Sequence, residues 1–285
     1  MPKSPTLLLL SLLMLIFSAP VLGQPYPPDI QKIVDRKKIV VAMCARDQPP
    51  FFKVSETGRL QGFDVELAAG IAAELGVAVE FNRSAETFNQ TVDMVVNGEA
   101  DIVISKLSRT LVRSKRVLFT KPYITLRKGL LVNRLRLAQA TRGTDPSDFI
   151  RNLTGKLGVV AGSSYVDFAK QMFPAATIEE FSTWAEVVDA VIQGRILAAF
   201  RDELELKKVV KQKSNIVITL QTVVFKDTKD PIAIAVSNAS SHLHFWLNQY
   251  LDAKNIDISV DELLDRFHFL LQESSGRLLE RRKIE

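Results

Sequence analysis

The chain has 285 residues, with 37 Lys+Arg against 32 Asp+Glu, 47% hydrophobic and 24% charged residues; these are the fractions of a folded soluble domain and exclude a disordered or collagen-like chain. At this length one or two domains of roughly 100–200 residues are expected, and a lone cysteine, Cys44, excludes an internal disulfide framework and a cysteine-rich zinc site. The net charge of +5 is dispersed in short runs such as Arg36-Lys37-Lys38 and Arg281-Arg282-Lys283, with no aromatic-interleaved basic motif, so no nucleic-acid partner is expected.

Lys3 precedes an uncharged apolar run over 7–17, followed by Ser18-Ala19-Pro20-Val21-Leu22-Gly23. This is the charged, apolar and small-residue order of a secretory signal peptide. The apolar run is shorter than the ~20 residues that span a bilayer. Residues 1–23 are therefore read as a signal peptide cut ahead of Gln24, with no cysteine following to be lipidated. No later segment reads as a transmembrane helix, so the mature chain is expected to be soluble outside the cytoplasmic membrane. Cys44 ends an apolar run and is expected to be buried.

Residues 39–43 read as a strand, followed by a Pro-Pro loop. Residues 64–75 read as a helix with Leu67, Ile71 and Leu75 on one face and Gly76 as its C-terminal stop. A strand over 77–81, a helix over 86–97 closed by Gly98, and a strand over 101–104 read as fully buried complete a β-α-β-α-β unit. The same order returns after Gly155. It gives a strand over 157–160, a helix over 165–172, a strand over 177–181, a helix over 183–193 and a strand over 197–200. The last helix opens with the capping-box pair Thr183 and Glu186 and stops at Gly194. Two such α/β units predict two lobes, each with a parallel-rich sheet.

Ligands of these sheets bind beyond the carboxyl ends of the strands. In the first unit those positions are Ser105-Lys106-Leu107-Ser108 and then Arg113; in the second they are Arg201-Asp202-Glu203. A guanidinium facing a carboxylate across a cleft is complementary to a zwitterion, and Arg grips a carboxylate through two parallel N–H···O bonds. The alternative is that these are solvated surface charges. His242, His244 and His268 make a poor metal set, because residues two apart leave a helix in different directions. No metal and no cofactor are expected.

The segment Gly62-Phe63-Asp64-Val65-Glu66-Leu67, with Ile71-Ala72-Ala73-Glu74-Leu75-Gly76-Val77 behind it and Pro49-Pro50-Phe51 before it, resembles the periplasmic solute-binding proteins for polar amino acids. Further matches are Gly98-Glu99-Ala100-Asp101-Ile102-Val103-Ile104-Ser105, then Ser108, Thr110 and Arg113, and Phe119-Thr120-Lys121-Pro122-Tyr123. Gly155-Lys156, Val159-Val160-Ala161-Gly162-Ser163-Ser164 and Gly194-Arg195 with Asp202 carry it into the second unit. The resemblance covers about 39–236.

It implies the two-lobed Venus-flytrap fold, with 24–119 plus 232–285 as lobe 1, 125–224 as lobe 2, and a two-strand hinge at 120–124 and 225–231. It also implies that Arg113 clamps a ligand carboxylate with help from Ser108, that the Gly162-Ser163-Ser164 turn adds donors, and that Asp202 receives an ammonium. Phe88 is implied to stack on the ligand side chain. Ser105, Lys106, Gln48 and Phe51 are further candidate contacts. Helix N-termini favour anions independently of any family, yet Ser163 and Ser164 also read as a plain N-cap and Phe88 as plain core.

Two departures bear on specificity. Gln48 stands where a second aromatic is common, and Lys106 stands where a small residue is usual. The Lys106 ammonium is expected to reach either solvent or a ligand side chain. Arg46, Lys106 and Arg201 suggest an acidic or strongly polar substrate, or else the ordinary surface of a basic protein. The implied function is a monomeric periplasmic receptor, not an enzyme, that closes on an α-amino acid or a related polar carboxylate and delivers it to the membrane permease of an ABC importer. The alternatives are a secreted dehydratase on the same fold and a sensory protein. Residues 268–285 are read as a terminal helix beyond the usual end of the family.

Overall fold

The computed structural model describes residues 26–142, 145–212 and 216–271. The expected signal peptide over 1–23 lies outside the described residues; of the terminal helix expected over 268–285, residues 268–271 are helical and the rest lies outside the described residues. The first lobe begins with α1 (Pro28–Asp35), β1 (Lys38–Ala42) and a small hairpin of β2 (Lys53–Val54) and β3 (Leu60–Gln61). It continues through α2 (Phe63–Glu74), β4 (Ala78–Asn82), α3 (Phe88–Val96), β5 (Ile102–Val103), the single turn α4 (Leu111–Ser114) and the long β6 (Val117–Leu126).

The second lobe holds β7 (Lys128–Asn133), α5 (Arg134–Ala140), α6 (Pro146–Arg151), β8 (Gly155–Val160), α7 (Ser164–Met172), β9 (Ala176–Phe181) and α8 (Trp184–Ile192). It ends with β10 (Ala198–Asp202), α9 (Glu203–Gln212), α10 (Ile216–Thr219) and β11 (Leu220–Val224). The chain then returns to the first lobe with β12 (Asp230–Ser237), α11 (Ser241–Ala253) and α12 (Val260–Arg266).

Each lobe is built on one five-stranded sheet, ordered β4-β1-β5-β12-β6 and β11-β7-β10-β8-β9. The three expected strands of each unit pair in parallel, β4·β1·β5 and β9·β8·β10. Ile39, Val41 and Ala42 of β1 are buried to the last percent, as a strand covered on both faces requires. The outer strands, missing from the repeat read in the sequence, are antiparallel: β12 joins β5, and β7 joins β10. Helices α3 and α8 occupy equivalent places, and each opens with a capping box, Thr87 with Gln90 and Thr183 with Glu186.

The crossings differ from the expected hinge. Residues 120–124 lie inside β6, whose pairing with β12 continues to Leu126↔Asp230, and β7 starts at Lys128 in the other sheet. The outward crossing is therefore at Arg127, because the ladder holds the chain in lobe 1 until then. The return runs over 225–229. The carboxyl-terminal helices cap lobe 1, where Leu247, Leu251, Leu263 and Phe267 join the core formed by Ile39, Val41, Phe51 and Ile71. Cys44 is buried as expected. Among the described residues no helix is long and apolar enough to cross a membrane.

Candidate functional site

The carboxyl ends of the two sheets face each other, and side chains from both lobes meet between them. Arg113 sits on α4, whose N-cap Thr110 accepts a hydrogen bond from the Arg113 amide at 3.2 Å. The turn folds the guanidinium back into the protein, where 6% of the residue stays accessible. Its Nε and Nη2 donate to Asn89 Oδ1 at 3.1 and 2.9 Å, and Nη1 donates to the Ser108 carbonyl at 3.0 Å. All of these acceptors are neutral. Burial lowers the Arg113 pKa to about 10, opposed by the charges of Asp230 and Asp167, so the group remains a cation at neutral pH.

Around it the lobes touch. Ser164 Oγ, at the start of α7, donates to Ser108 Oγ at 2.9 Å, and Tyr165 Oη donates to Asp230 Oδ2 at 2.9 Å. Burial pushes the Asp230 carboxyl up, opposed by the Ser108 hydroxyl, and its Oδ1 has no hydrogen-bond partner among the described residues. Ser163 turns its hydroxyl to the Val160 carbonyl at 2.6 Å instead of capping α7. Gly162 before it has φ +66°, and a Cβ there would lie 2.9 Å from Thr87 Cβ of the other lobe. A cavity of about 20 Å³ remains, lined by Phe88, Lys106, Ser108, Arg113, Ser164 and Asp202 among others.

The other end is built on Lys106, which leaves β5 at φ +48°. Its amide donates to Asp64 Oδ2 at 2.7 Å, and Tyr123 Oη donates to Asp64 Oδ1 at 3.0 Å. Burial pushes the Asp64 carboxyl up to about 7 despite these two donors. Of the two destinations expected for the Lys106 ammonium, solvent or a ligand side chain, the structure excludes solvent: the group is buried and held by the chain's own carboxylates. It lies 3.0 Å from Asp202 Oδ2 and 2.8 Å from Glu205 Oε1, with all three side chains at most 5% accessible, and 5.4 Å from the centre of the Phe51 ring.

Lys208 closes the cluster by bridging Glu205 and the Pro49 carbonyl, at 2.9 Å each. Burial opposes the charged form of Glu205, but Lys106, Lys208 and Arg201 outweigh it and hold the carboxyl well below the usual range. Asp202 Oδ1 accepts the Glu205 amide at 3.1 Å and so caps α9. Arg201 donates to Gln48 Oε1 at 3.3 Å across the cleft; its Nε stands 3.6 Å from Asp202 Oδ2 with no hydrogen-bond partner.

The geometry thus gathers Phe88, Lys106, Ser108, Arg113, Ser163, Ser164 and Asp202 around one cavity. A second cavity of about 200 Å³ lies beside it and shares Phe88 and Arg201, with Arg46, Gln48, Glu86 and Trp184 in its wall. Two candidates fall outside both. Ser105 is fully buried, its hydroxyl accepting the Cys44 amide at 3.0 Å, and Phe51 is packed in the lobe 1 core; each braces the site from behind. Sequence reasoning missed Asn89, Tyr165, Glu205, Lys208 and Asp230. The i,i+3 spacing of Asp202, Glu205 and Lys208 was a readable signal on a helix; Asn89 and Asp230 carried none. Among the described residues, no three His, Cys, Asp or Glu side chains are placed to hold a metal ion.

A cleft between two α/β lobes, floored by sheet ends and lined by buried charges from both sides, defines a bilobal solute-binding protein. Residues 39–269 match the profile of the bacterial extracellular solute-binding proteins, family 3, and the chain belongs to that family. It is 25% identical over 236 residues to the ABC transporter glutamine-binding protein GlnH of Bacillus subtilis, covering 82% of each chain. Among solved structures, an ancestral amino acid-binding protein described as a precursor of cyclohexadienyl dehydratase is 27% identical, with a TM-score of 0.65 over 84% of this chain and 98% of that one. The amino acid ABC transporter substrate-binding protein AbpA of Streptococcus pneumoniae, bound to L-arginine, is 26% identical, with a TM-score of 0.65 over 86% and 98%.

Proposed function

We propose that the chain is a periplasmic receptor that closes its two lobes on a small carboxylate-bearing solute, an amino acid or a closely related polar acid, and presents the closed form to the permease of an ABC importer. The observation that carries this is Arg113: a buried cation between the lobes whose hydrogen bonds go only to neutral oxygens. Burying a charge is costly unless an opposite charge meets it, and a ligand carboxylate supplies that partner. Ser108 and Ser164, one from each lobe, stand beside it as hydroxyl donors. The crossings at 127 and 225–229 act as the hinge, and the bonds Ser164–Ser108, Tyr165–Asp230 and Arg201–Gln48 form only when the lobes meet.

Relatives named as amino-acid-binding proteins support a receptor over a dehydratase. The test is a thermal-shift screen of the chain without residues 1–23 against the twenty amino acids, simple dicarboxylates and polyamines, followed by small-angle scattering. A ligand that binds only the folded state raises its melting temperature by mass action; a hit that also contracts the molecule is expected. No stabilisation by any of these, or aromatic-product absorbance on incubation with prephenate, overturns the reading.

A further inference from the structure

Between the lobes one buried cation, Arg113, has hydrogen bonds only to neutral oxygens, whereas Lys106 and Lys208 are already paired with carboxylates. Lys106, Arg113, Arg201 and Lys208 face Asp202, Glu205 and Asp230, and the larger cavity adds Arg46 against Glu86. Arg113 on neutral acceptors calls for an anionic group. An α-amino acid brings no net charge, and its ammonium needs a carboxylate of its own. The carboxylate that closes the second sheet, Asp202, is engaged on both oxygens: Oδ2 by the Lys106 ammonium at 3.0 Å and Oδ1 by the Glu205 amide at 3.1 Å. A second ammonium there would sit against Lys106, and like charges in a dry site repel strongly. Lys106 is also not free to swing away, since Glu205 holds it at 2.8 Å and its backbone is fixed by Asp64 at 2.7 Å.

Resting on the receptor reading above, we propose that Lys106 is a built-in ammonium standing where a ligand's own would go, so that the site selects an organic acid without an α-ammonium over the matching amino acid. One carboxylate of that acid meets Arg113. A second anionic group reaches Arg201, whose guanidinium lines both cavities and keeps Nε without a hydrogen-bond acceptor. The favoured class is a dicarboxylate bearing an oxo or hydroxyl group, or hydrogen, in place of the amine. A volume of about 200 Å³ suffices for a body of this size, since a cavity of about 150 Å³ holds benzene. The competing acceptor for a ligand ammonium is Asp230 Oδ1. It stands beside Arg113, with the Tyr165 hydroxyl on its other oxygen at 2.9 Å.

The experiment is titration calorimetry with pairs of acids that differ only at the α-carbon: glutamate with 2-oxoglutarate, aspartate with malate, alanine with lactate, phenylalanine with phenylpyruvate. The acid without the amine is expected to bind at least about tenfold tighter, with the dicarboxylic pairs strongest, because a charge-assisted contact is worth about that much. Replacing the lysine together with its partner, Lys106→Ser with Glu205→Gln, frees Asp202 without stranding a second carboxylate, and is expected to shrink or reverse the preference by about the same factor. Equal or tighter binding of the amino acid to the unaltered chain overturns the proposal and leaves the receptor reading standing; if Asp230→Asn then abolishes that binding, Asp230 is the ammonium acceptor. A preference that survives in the double variant overturns the role of Lys106. Binding by neither member of any pair overturns both readings.

Discussion

The two ends of the cleft hold opposite kinds of charge. At the Arg113 end a buried guanidinium is held by an amide oxygen and a carbonyl oxygen, and among the described residues no carboxylate pairs with it. At the Asp202 end a buried carboxylate is matched by Lys106, with Glu205 and Lys208 matched beside it. One end is oriented but uncompensated; the other is compensated by the chain itself. A charged residue in a cleft therefore says little about a ligand until its existing partners are counted. An arginine on neutral acceptors is an unfilled half of an ion pair, whereas an aspartate on a lysine is structural.

The contrast can be broken at its strongest point. Lys106→Met leaves Asp202 and Glu205 without their shared cation, and breaking a buried pair in this way costs about 3–5 kcal/mol; urea denaturation is expected to show a loss of that order. A loss below about 1 kcal/mol, the scale of exposed pairs, would show that the Asp202 end is not compensated internally. At the opposite end Asn89→Ala removes the acceptor for two Arg113 N–H groups. The guanidinium then loses its orientation, and ligand affinity is expected to fall about tenfold by calorimetry, the scale of a hydrogen bond to a charged group.

Between the ends lies the contact that closure requires. Gly162 has φ +66° and meets Thr87 of the other lobe. Gly162→Ala places a side chain in the left-handed region, at about 1–2 kcal/mol, and against Thr87 only when the lobes are shut. Its ligand affinity is expected to fall more than its unliganded melting temperature accounts for. Equal changes in both would remove the cleft from the explanation.

The smallest effect is in pH. Asp64, which props the Lys106 backbone, has its carboxyl raised by burial from an ordinary 3.8 to about 7. The folded chain thus keeps a proton that the unfolded chain has released. The stability from this group is fully present below about pH 3.8 and is lost as pH rises through about 7. Asp64→Asn is expected to gain stability on the wild type as pH rises from 5 to 8, read from urea midpoints; a constant difference would contradict the raised value.

Much of the fold was legible because periodicity reports burial. The strand read at 39–43 appears as β1 at Lys38–Ala42, and the helix stops at Gly76, Gly98 and Gly194 and the Thr183–Glu186 box, which also depend on local patterns, are in place. The antiparallel strands β6, β7 and β12 were not placed, because pairing between residues as distant as Leu126 and Asp230 leaves no local trace. The outward crossing was displaced from 120–124 to Arg127 for the same reason. In the site, Arg113, Ser108 and Asp202 were visible as residue types beyond strand ends, and Ser164 through the family resemblance and its place at a helix start. Partnership was not visible: a sequence shows that Lys106 is a lysine near a cleft, but the 3.0 Å contact to Asp202 depends on how two lobes meet. Ser105 and Phe51 lie behind the two cavities and not in their walls, because adjacency in a motif does not distinguish the face of a strand that lines a cavity from the face that packs behind it.

The central claim is that the uncompensated charge of Arg113 is the anchor for a ligand carboxylate. It is tested most directly by titrating the unaltered chain and Arg113→Ala with the strongest acid from the screen, with melting curves taken on both unliganded proteins. The account predicts one-to-one binding that weakens at least about a hundredfold in the variant, the scale of a lost bidentate charged contact, while the variant stays folded. Affinity unchanged within a factor of about three, less than half of a tenfold step on the free-energy scale, would contradict it.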